Sequence, residues 1–378
     1  MKPATLIIAS SESDANLYYA SRFVVPDPVV YFEIGGKKHL VLSDLEIDRG
    51  RLQAKVHVFH SLSDVAKRVP QSLKGKGYPS YALIVHALFR PKKIKQIIVP
   101  SNFPSQYYVA LTKLGYRLTI KPEPFFEQRL IKTDVEKKNI RHALAQVEKA
   151  LGETLKFLQN TKIKGNRIYN GKEVVTSELL QDKINSRLME LGCVANHTII
   201  ASGIQGSLPH HEGAGPIIPH TPIIFDIFPR HAASRYHADM TRTVVKGKPS
   251  DMVKKMYQAV LEANLKAQSV VRAGVTGKFV HETAVKQIEK KGFKTGPMDG
   301  SMQGFIHSTG HGLGLDVHEL PTVSTQGGKL KAGNVVTIEP GLYYRKYGGI
   351  RLEDVVYVTK TGSIPLTKFP RKLELDQL

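Results

Sequence analysis

Two carboxylates stand inside runs that otherwise read as buried β-strands, and they constrain the fold more than any other feature of the chain. Asp226 ends Pro222-Ile223-Ile224-Phe225 and precedes Ile227-Phe228, while Glu339 follows Val335-Val336-Thr337-Ile338 and precedes Pro340-Gly341. A solvated surface charge does not sit in such a run, and a buried carboxylate without a partner is rare because taking an ion out of water is expensive. The fold must therefore bring compensating charge to both positions. Each acid has a companion. Asp239 lies thirteen residues after Asp226, in Asp239-Met240-Thr241-Arg242, and Glu353 lies fourteen after Glu339, in Arg351-Leu352-Glu353-Asp354. Taken alone, either companion segment reads equally well as an exposed edge strand.

The order of elements explains how four acids meet. Thr133-Asp134-Val135-Glu136 is a capping box, in which hydroxyl and carboxylate satisfy each other's orphan amides at a helix start. Ile140, Leu144, Val147, Leu151, Leu155 and Leu158 follow at helical spacing. A second helix is expected over 177–191, stopping at Gly192, and then β segments over 222–228 and 236–246. The same order recurs: helices over 251–273 and 278–291, the latter ending at Gly292, then β segments over 335–344 and 350–358. No residue-level repeat accompanies this, so the pseudo-twofold α-α-β-β arrangement rests on element order alone. If the halves pack face to face, their acid pairs converge.

Upstream, strands are expected over 5–9, 29–34, 39–42, 81–86 and 97–99, with a helix over 105–114, which makes a small α/β domain. Lys121-Pro122-Glu123-Pro124 biases the chain to an extended linker, since the residue before each proline is pushed out of helical geometry. The expected division is thus an α/β domain over 1–125 and an α+β domain over 126–378. At 378 residues, 41% of them apolar, the chain has material for two cores.

Four converging carboxylates demand cations. Two divalent ions balance Asp226, Asp239, Glu339 and Glu353, and leave a neutral ligand position for His311 in the stretch Phe305 to Glu319, FIHSTGHGLGLDVHE. Gly310, Gly312 and Gly314 disfavour a helix there, which argues against His307 and His311 as a helical zinc pair. Nine of the fifteen histidines fall between His210 and His318, around the acids. Oxygen-rich coordination with one imidazole favours Mn, with Co, Fe or Zn as alternatives, over a thiolate-type structural zinc site. The expected chemistry is hydrolysis by a hydroxide shared between the two metals.

Composition trims the alternatives. One cysteine, Cys193, excludes an internal disulfide framework and fits a reducing, cytoplasmic setting. The first apolar run, 6–9, is too brief for a signal-peptide core or a membrane span, so no membrane partner is expected. A formal charge of +21 raises nucleic acid or an anionic membrane as a partner. Yet the clusters at 90–95 (RPKKIK), 286–291 (KQIEKK) and Arg371-Lys372 are short and carry no interleaved aromatics for base stacking, so a solvated basic surface is favoured over a nucleic-acid platform.

The set Asp226, Asp239 in DMTRT, His311 in GHGLG, Glu339 in TIEPGLYY and Glu353 in GGIRLED resembles the dinuclear metallopeptidases of the pita-bread fold. Among them it is most similar to the Xaa-Pro aminopeptidases and Xaa-Pro dipeptidases (prolidases). The likeness spans about residues 130–378, and the leading domain is similar to the creatinase/prolidase N-terminal domain. The resemblance implies that Asp239 and Glu353 bridge both ions, that Asp226 serves one, and that His311 with Glu339 serves the other. It further implies that Glu339 shuttles a proton to the leaving nitrogen and that Arg351 props a ligand carboxylate. His318 in DVHE and His210 in LPHHEG would hold the substrate carbonyl and its oxyanion, with His211 a rival to His210. His220, His231, His237 and His307 are read as structural or rim residues. The implied substrate is a peptide with proline at its second position, or a Xaa-Pro dipeptide, and the implied assembly is a homodimer. Such a bond calls for a dedicated enzyme because its imide nitrogen has no N–H and its ring fixes φ. The interval from Asp226 to Asp239 is longer than is common in the family by an even number of residues, placed in 229–235 (PRHAASR); confined to a hairpin tip, this leaves both acids on one face. A catalytically inactive scaffold that binds nucleic acid or protein through its basic surface, and a hydrolase for small non-peptide amides, are the competing readings.

Overall fold

The computed structural model describes residues 3–74 and 77–375. The chain packs as two compact units, Met1–Arg129 and Leu130–Leu378.

In the first unit, strands Ala4–Ala9, Val29–Ile34 and Lys37–Leu42 form an antiparallel meander. Val58–Ser61 joins one side of it in parallel, and Gln96–Pro100 then Arg117–Lys121 extend the other side in parallel, making a six-stranded sheet. Side-chain alternation gives each face its own core: Leu6, Ile8, Val30 and Phe32 pack on one, and Ile7, Tyr31, Leu40 and Leu42 on the other. The structure overturns the strand expected over 81–86. Tyr81–Phe89 is an α-helix whose Ala82, Ile84, Val85, Leu88 and Phe89 are buried. A continuous apolar run has no period-two signature and reads as strand or helix alike; here the run continues to Phe89 and is long enough for a helix wrapped in core. Helices Ala15–Ser21, Ile47–Gln53 and Leu62–Lys67 are too short to announce themselves by periodicity.

The second unit opens with helix Asp134–Gln159, and the expected capping box is in place: Glu136 N donates to Thr133 Oγ1 (3.3 Å) and Thr133 N donates to Glu136 Oε2 (2.8 Å). After helix Ser177–Glu190, strands Ile199–Ser202, Pro222–Ile227 and Met240–Val245 form an antiparallel sheet. Helices Asp251–Val270 and Gly277–Lys290 follow. A five-stranded sheet then runs in the order Glu319–Val323, Gly310–Gly312, Val335–Ile338, Asp354–Val358, Ser363–Pro365. The β segments expected over 335–344 and 350–358 are each broken. Strand Val335–Ile338 stops before Glu339-Pro340, where proline lacks the N–H a ladder needs, and the chain resumes as the hairpin Gly341–Tyr344 with Gly348–Arg351. Leu352 and Glu353 separate that hairpin from Asp354–Val358. Glu339 and Glu353 therefore sit at breaks in strands. Val336, Ile338, Leu342, Ile350, Leu352 and Val356 pack against Met256, Val260, Ala263, Val280 and Ala284 of the helix pair, so a rigid apolar layer lies beneath both breaks.

Candidate metal centre

Strand register places the first acid pair. Asp226 lies opposite Thr241 and Ile227 opposite Met240, so Asp239 enters at the open end of the same ladder. The second pair is stitched on by backbone: Glu353 N donates to Thr241 O (3.1 Å), and Glu339 N donates to Thr309 O (2.7 Å). Thr241 Oγ1 lies 2.9 Å from Asp226 Oδ1 and 2.9 Å from Glu353 Oε2, bridging one acid from each half. Arg351 donates from Nη2 to Asp226 Oδ2 (2.7 Å) and from Nη1 to the Tyr343 hydroxyl (2.8 Å). Asp239 and Glu353, ambiguous in sequence, are deeply buried, at 4% and 2% exposure.

His311 is held between two glycines because its strand runs against its neighbours. A Cβ at Gly310 would lie 2.0 Å from Thr337 O, and one at Gly312 would lie 2.4 Å from Leu320 O. The His311 amide donates to Thr337 Oγ1 (3.1 Å). Its Nδ1 lies 3.1 Å from Gly312 O, an acceptor only, which assigns the proton to Nδ1 and leaves a lone pair on Nε2. That lone pair faces Glu339 Oε1 at 3.4 Å and Asp239 Oδ2 at 3.6 Å. Burial holds the imidazole down to about 4, so at neutral pH it carries no charge of its own. Three potential ligand atoms thus point at one another.

The electrostatics of the acids agree. Burial, then Glu353 and Asp226, push Asp239 well above the usual carboxylate range; burial, then Glu339 and Asp226, do the same to Glu353. Burial pushes Glu339 up to about 8 against the pull of Arg351. Glu353 Oε1 is buried with no hydrogen-bond partner. One ligand atom from each of Asp239, His311 and Glu353 lies within 4.8 Å of the others. An orphaned carboxylate oxygen, an imidazole lone pair and crowded acids form a donor set that divalent cations fit.

All eight residues singled out from sequence line one cavity of about 700 Å³: Asp226, Asp239, His311, Glu339 and Glu353, with His210, His318 and Arg351. His318 stacks edge-on against His311, centroids 4.3 Å apart at 83°. His210 lines the cavity while its rival His211 accepts the amide of Gly213 at 3.0 Å in a local turn. His307, read as a rim or structural residue, also lines the cavity, with Nε2 2.9 Å from the Tyr343 hydroxyl. Thr241 and Tyr343 were not singled out. Thr241 stands two residues after Asp239, and period-two alternation was the signal that could have found it; nothing local marks Tyr343.

The chain matches metallopeptidase family M24 over residues 138–360. It is 33% identical to an Xaa-Pro dipeptidase of Pyrococcus horikoshii over 74% of this chain and 75% of that protein. The crystal structure of a prolidase from Pyrococcus horikoshii superposes with TM-score 0.78 at 27% identity, over 98% of this chain and 95% of that one. An X-Pro aminopeptidase structure from Thermotoga maritima superposes with TM-score 0.80 at 25% identity, over 98% and 97%. The fold is the one the resemblance implied, an α/β unit followed by a pita-bread unit. With its acids gathered around an imidazole lone pair and its second unit matched across both halves, this chain belongs to metallopeptidase family M24 and is a metal-dependent peptidase.

Proposed function

We propose that the protein is an Xaa-Pro peptidase, cleaving the bond before proline at the N-terminus of peptides or in dipeptides. Two divalent cations, manganese foremost, would be held by Asp226, Asp239, His311, Glu339 and Glu353. The observation that carries this reading is the His311 Nε2 lone pair facing Glu339 and Asp239 at 3.4 and 3.6 Å, a cluster of ligand atoms that a divalent cation would join. The names of the relatives supply the proline preference.

Bound divalent ions supply Lewis acidity, which makes water nucleophilic near neutral pH and draws charge from the scissile carbonyl. The chain's own residues do the rest. Glu339 lies on the cavity wall beside His311 Nε2, where it would take a proton from the nucleophile and pass it to the leaving imide nitrogen. His318 and His210 hold the carbonyl oxygen as charge develops on it. Arg351 fixes Asp226 through its 2.7 Å bond and is itself fixed by Tyr343. A homodimer belongs to the same proposal on family likeness, and a cytoplasmic setting on the buried, unpaired Cys193. Against the inactive-scaffold reading, all five proposed ligand residues are present and line one cavity.

The test is removal and return of metal. Chelation is expected to abolish hydrolysis of Ala-Pro-Ala, with manganese or cobalt restoring it; full activity in chelator contradicts the proposal.

A further inference from the structure

We propose that the site selects peptides longer than a dipeptide, because its wall offers no cation to a carboxylate placed one residue beyond the scissile bond. This rests on the reading of the site as an Xaa-Pro peptidase. In a Xaa-Pro dipeptide the proline carries the free carboxylate, so that charge must enter the cavity whenever the scissile carbonyl reaches the acids. In a longer peptide the same position is a neutral amide.

Among the described residues lining the cavity, Arg351 alone has a permanently charged cationic side chain, and there is no lysine. Arg351 has four of its five N–H donors engaged. Nε reaches Thr241 Oγ1 (3.3 Å), Nη1 reaches Tyr343 (2.8 Å) and Pro209 O (3.3 Å), and Nη2 reaches Asp226 (2.7 Å). Turning it toward a substrate would break its bonds to Asp226, Tyr343 and Pro209. Against it stand Glu212 and the four acids of the centre. Two divalent ions balance those four, so they leave no surplus positive charge, and Glu212 is bonded to His197 at 2.7 Å.

The remaining polar wall suits an amide. Ser324 Oγ donates to Thr322 Oγ1 (3.1 Å) on the segment that follows His318, which leaves the Thr322 hydroxyl proton able to donate to a carbonyl without meeting a full charge. A cavity of about 700 Å³ also lies well inside the ~300–1,000 Å³ range that encloses a drug-sized molecule, which leaves room beyond the proline. The inference parts company with the Pyrococcus horikoshii relative, whose name is that of a dipeptidase.

Three substrates with one scissile bond separate charge from length: Ala-Pro, Ala-Pro-amide and Ala-Pro-Ala, each assayed for kcat/KM with the manganese-loaded protein. The expected result is that the amide and the tripeptide both exceed Ala-Pro by about 10-fold or more, the scale of one lost charge-assisted hydrogen bond. Ala-Pro cleaved as well as the other two overturns the proposal. So does an amide as poor as Ala-Pro beside a good tripeptide, since length rather than charge would then decide. Hydrolysis of none of the three by metal-loaded protein removes the Xaa-Pro reading itself, and this inference with it.

Discussion

Strands Met240–Val245 and Asp354–Val358, together with Asp239 and Glu353 just before them, carry two kinds of buried charge, and the contrast separates structure from function. On one face Arg242 and Asp354, with side chains 2% and 1% exposed, meet at 2.8 Å. Arg242 also donates to the carbonyls of Thr241, Glu353, Phe369 and Pro370, and Asp354 takes a second guanidinium from Arg371 at 2.7 Å. Every donor of Arg242 has an acceptor. One residue away on each segment the chain presents Thr241 and Glu353 to the cavity, where Glu353 Oε1 has no partner and Asp239 is crowded by other acids. The first network closes itself and stabilises the fold. The second withholds its countercharge, which is the arrangement expected where a ligand supplies it.

The comparison predicts opposite responses to similar substitutions. The largest effect is on turnover: Glu339→Ala is expected to lower kcat for Ala-Pro-Ala by about 10²–10⁴-fold while circular dichroism stays native. Retained activity would remove the proton-shuttle role. Next, Asp354→Asn leaves Arg242 and Arg371 short of a charge and is expected to lower unfolding free energy by about 3–5 kcal/mol in urea titrations. A change below 1 kcal/mol, on the order of an exposed pair, would mean that this face is not closed as described.

Asp239→Asn should go the other way in chelator, raising stability by about 1–2 kcal/mol above neutral pH because a crowded carboxylate is replaced by a neutral amide. The sign follows from the direction of the shifts. Carboxyls raised in the folded state favour folding while protonated, so stability of the metal-free protein falls as pH climbs from the ordinary carboxylate range through about 8, the value for Glu339. The variant should flatten that fall, and an unchanged pH profile would contradict it. Thr133→Ala, remote from both faces, calibrates the scale with the ordinary loss of a helix cap, about 1 kcal/mol.

Much of this contrast was legible in the chain. Asp226 and Glu339 stood out because apolar neighbours on both sides exclude a solvated charge, and the capping box at Thr133 fixed a helix start through side-chain chemistry that is strictly local. Asp239 and Glu353 were ambiguous because their burial comes from packing of one half on the other, which neighbours in sequence do not report. The helix Tyr81–Phe89 was misread for the same reason: an unbroken apolar run records burial on all sides, not backbone geometry. Tyr343 and the closed network of Arg242 escaped because their partners are long-range, with Arg242 reaching Phe369 and Pro370 more than a hundred residues on.

The cavity face sets four acids of the centre against a single arginine, Arg351, and leaves the rest of the countercharge to bound cations. Calorimetric titration of chelator-stripped protein with manganese tests it directly. Two ions per chain are expected, with binding lost in Asp239→Asn and retained in Arg371→Lys on the opposite face. Failure of the native protein to bind, or equal binding by Asp239→Asn, would contradict it.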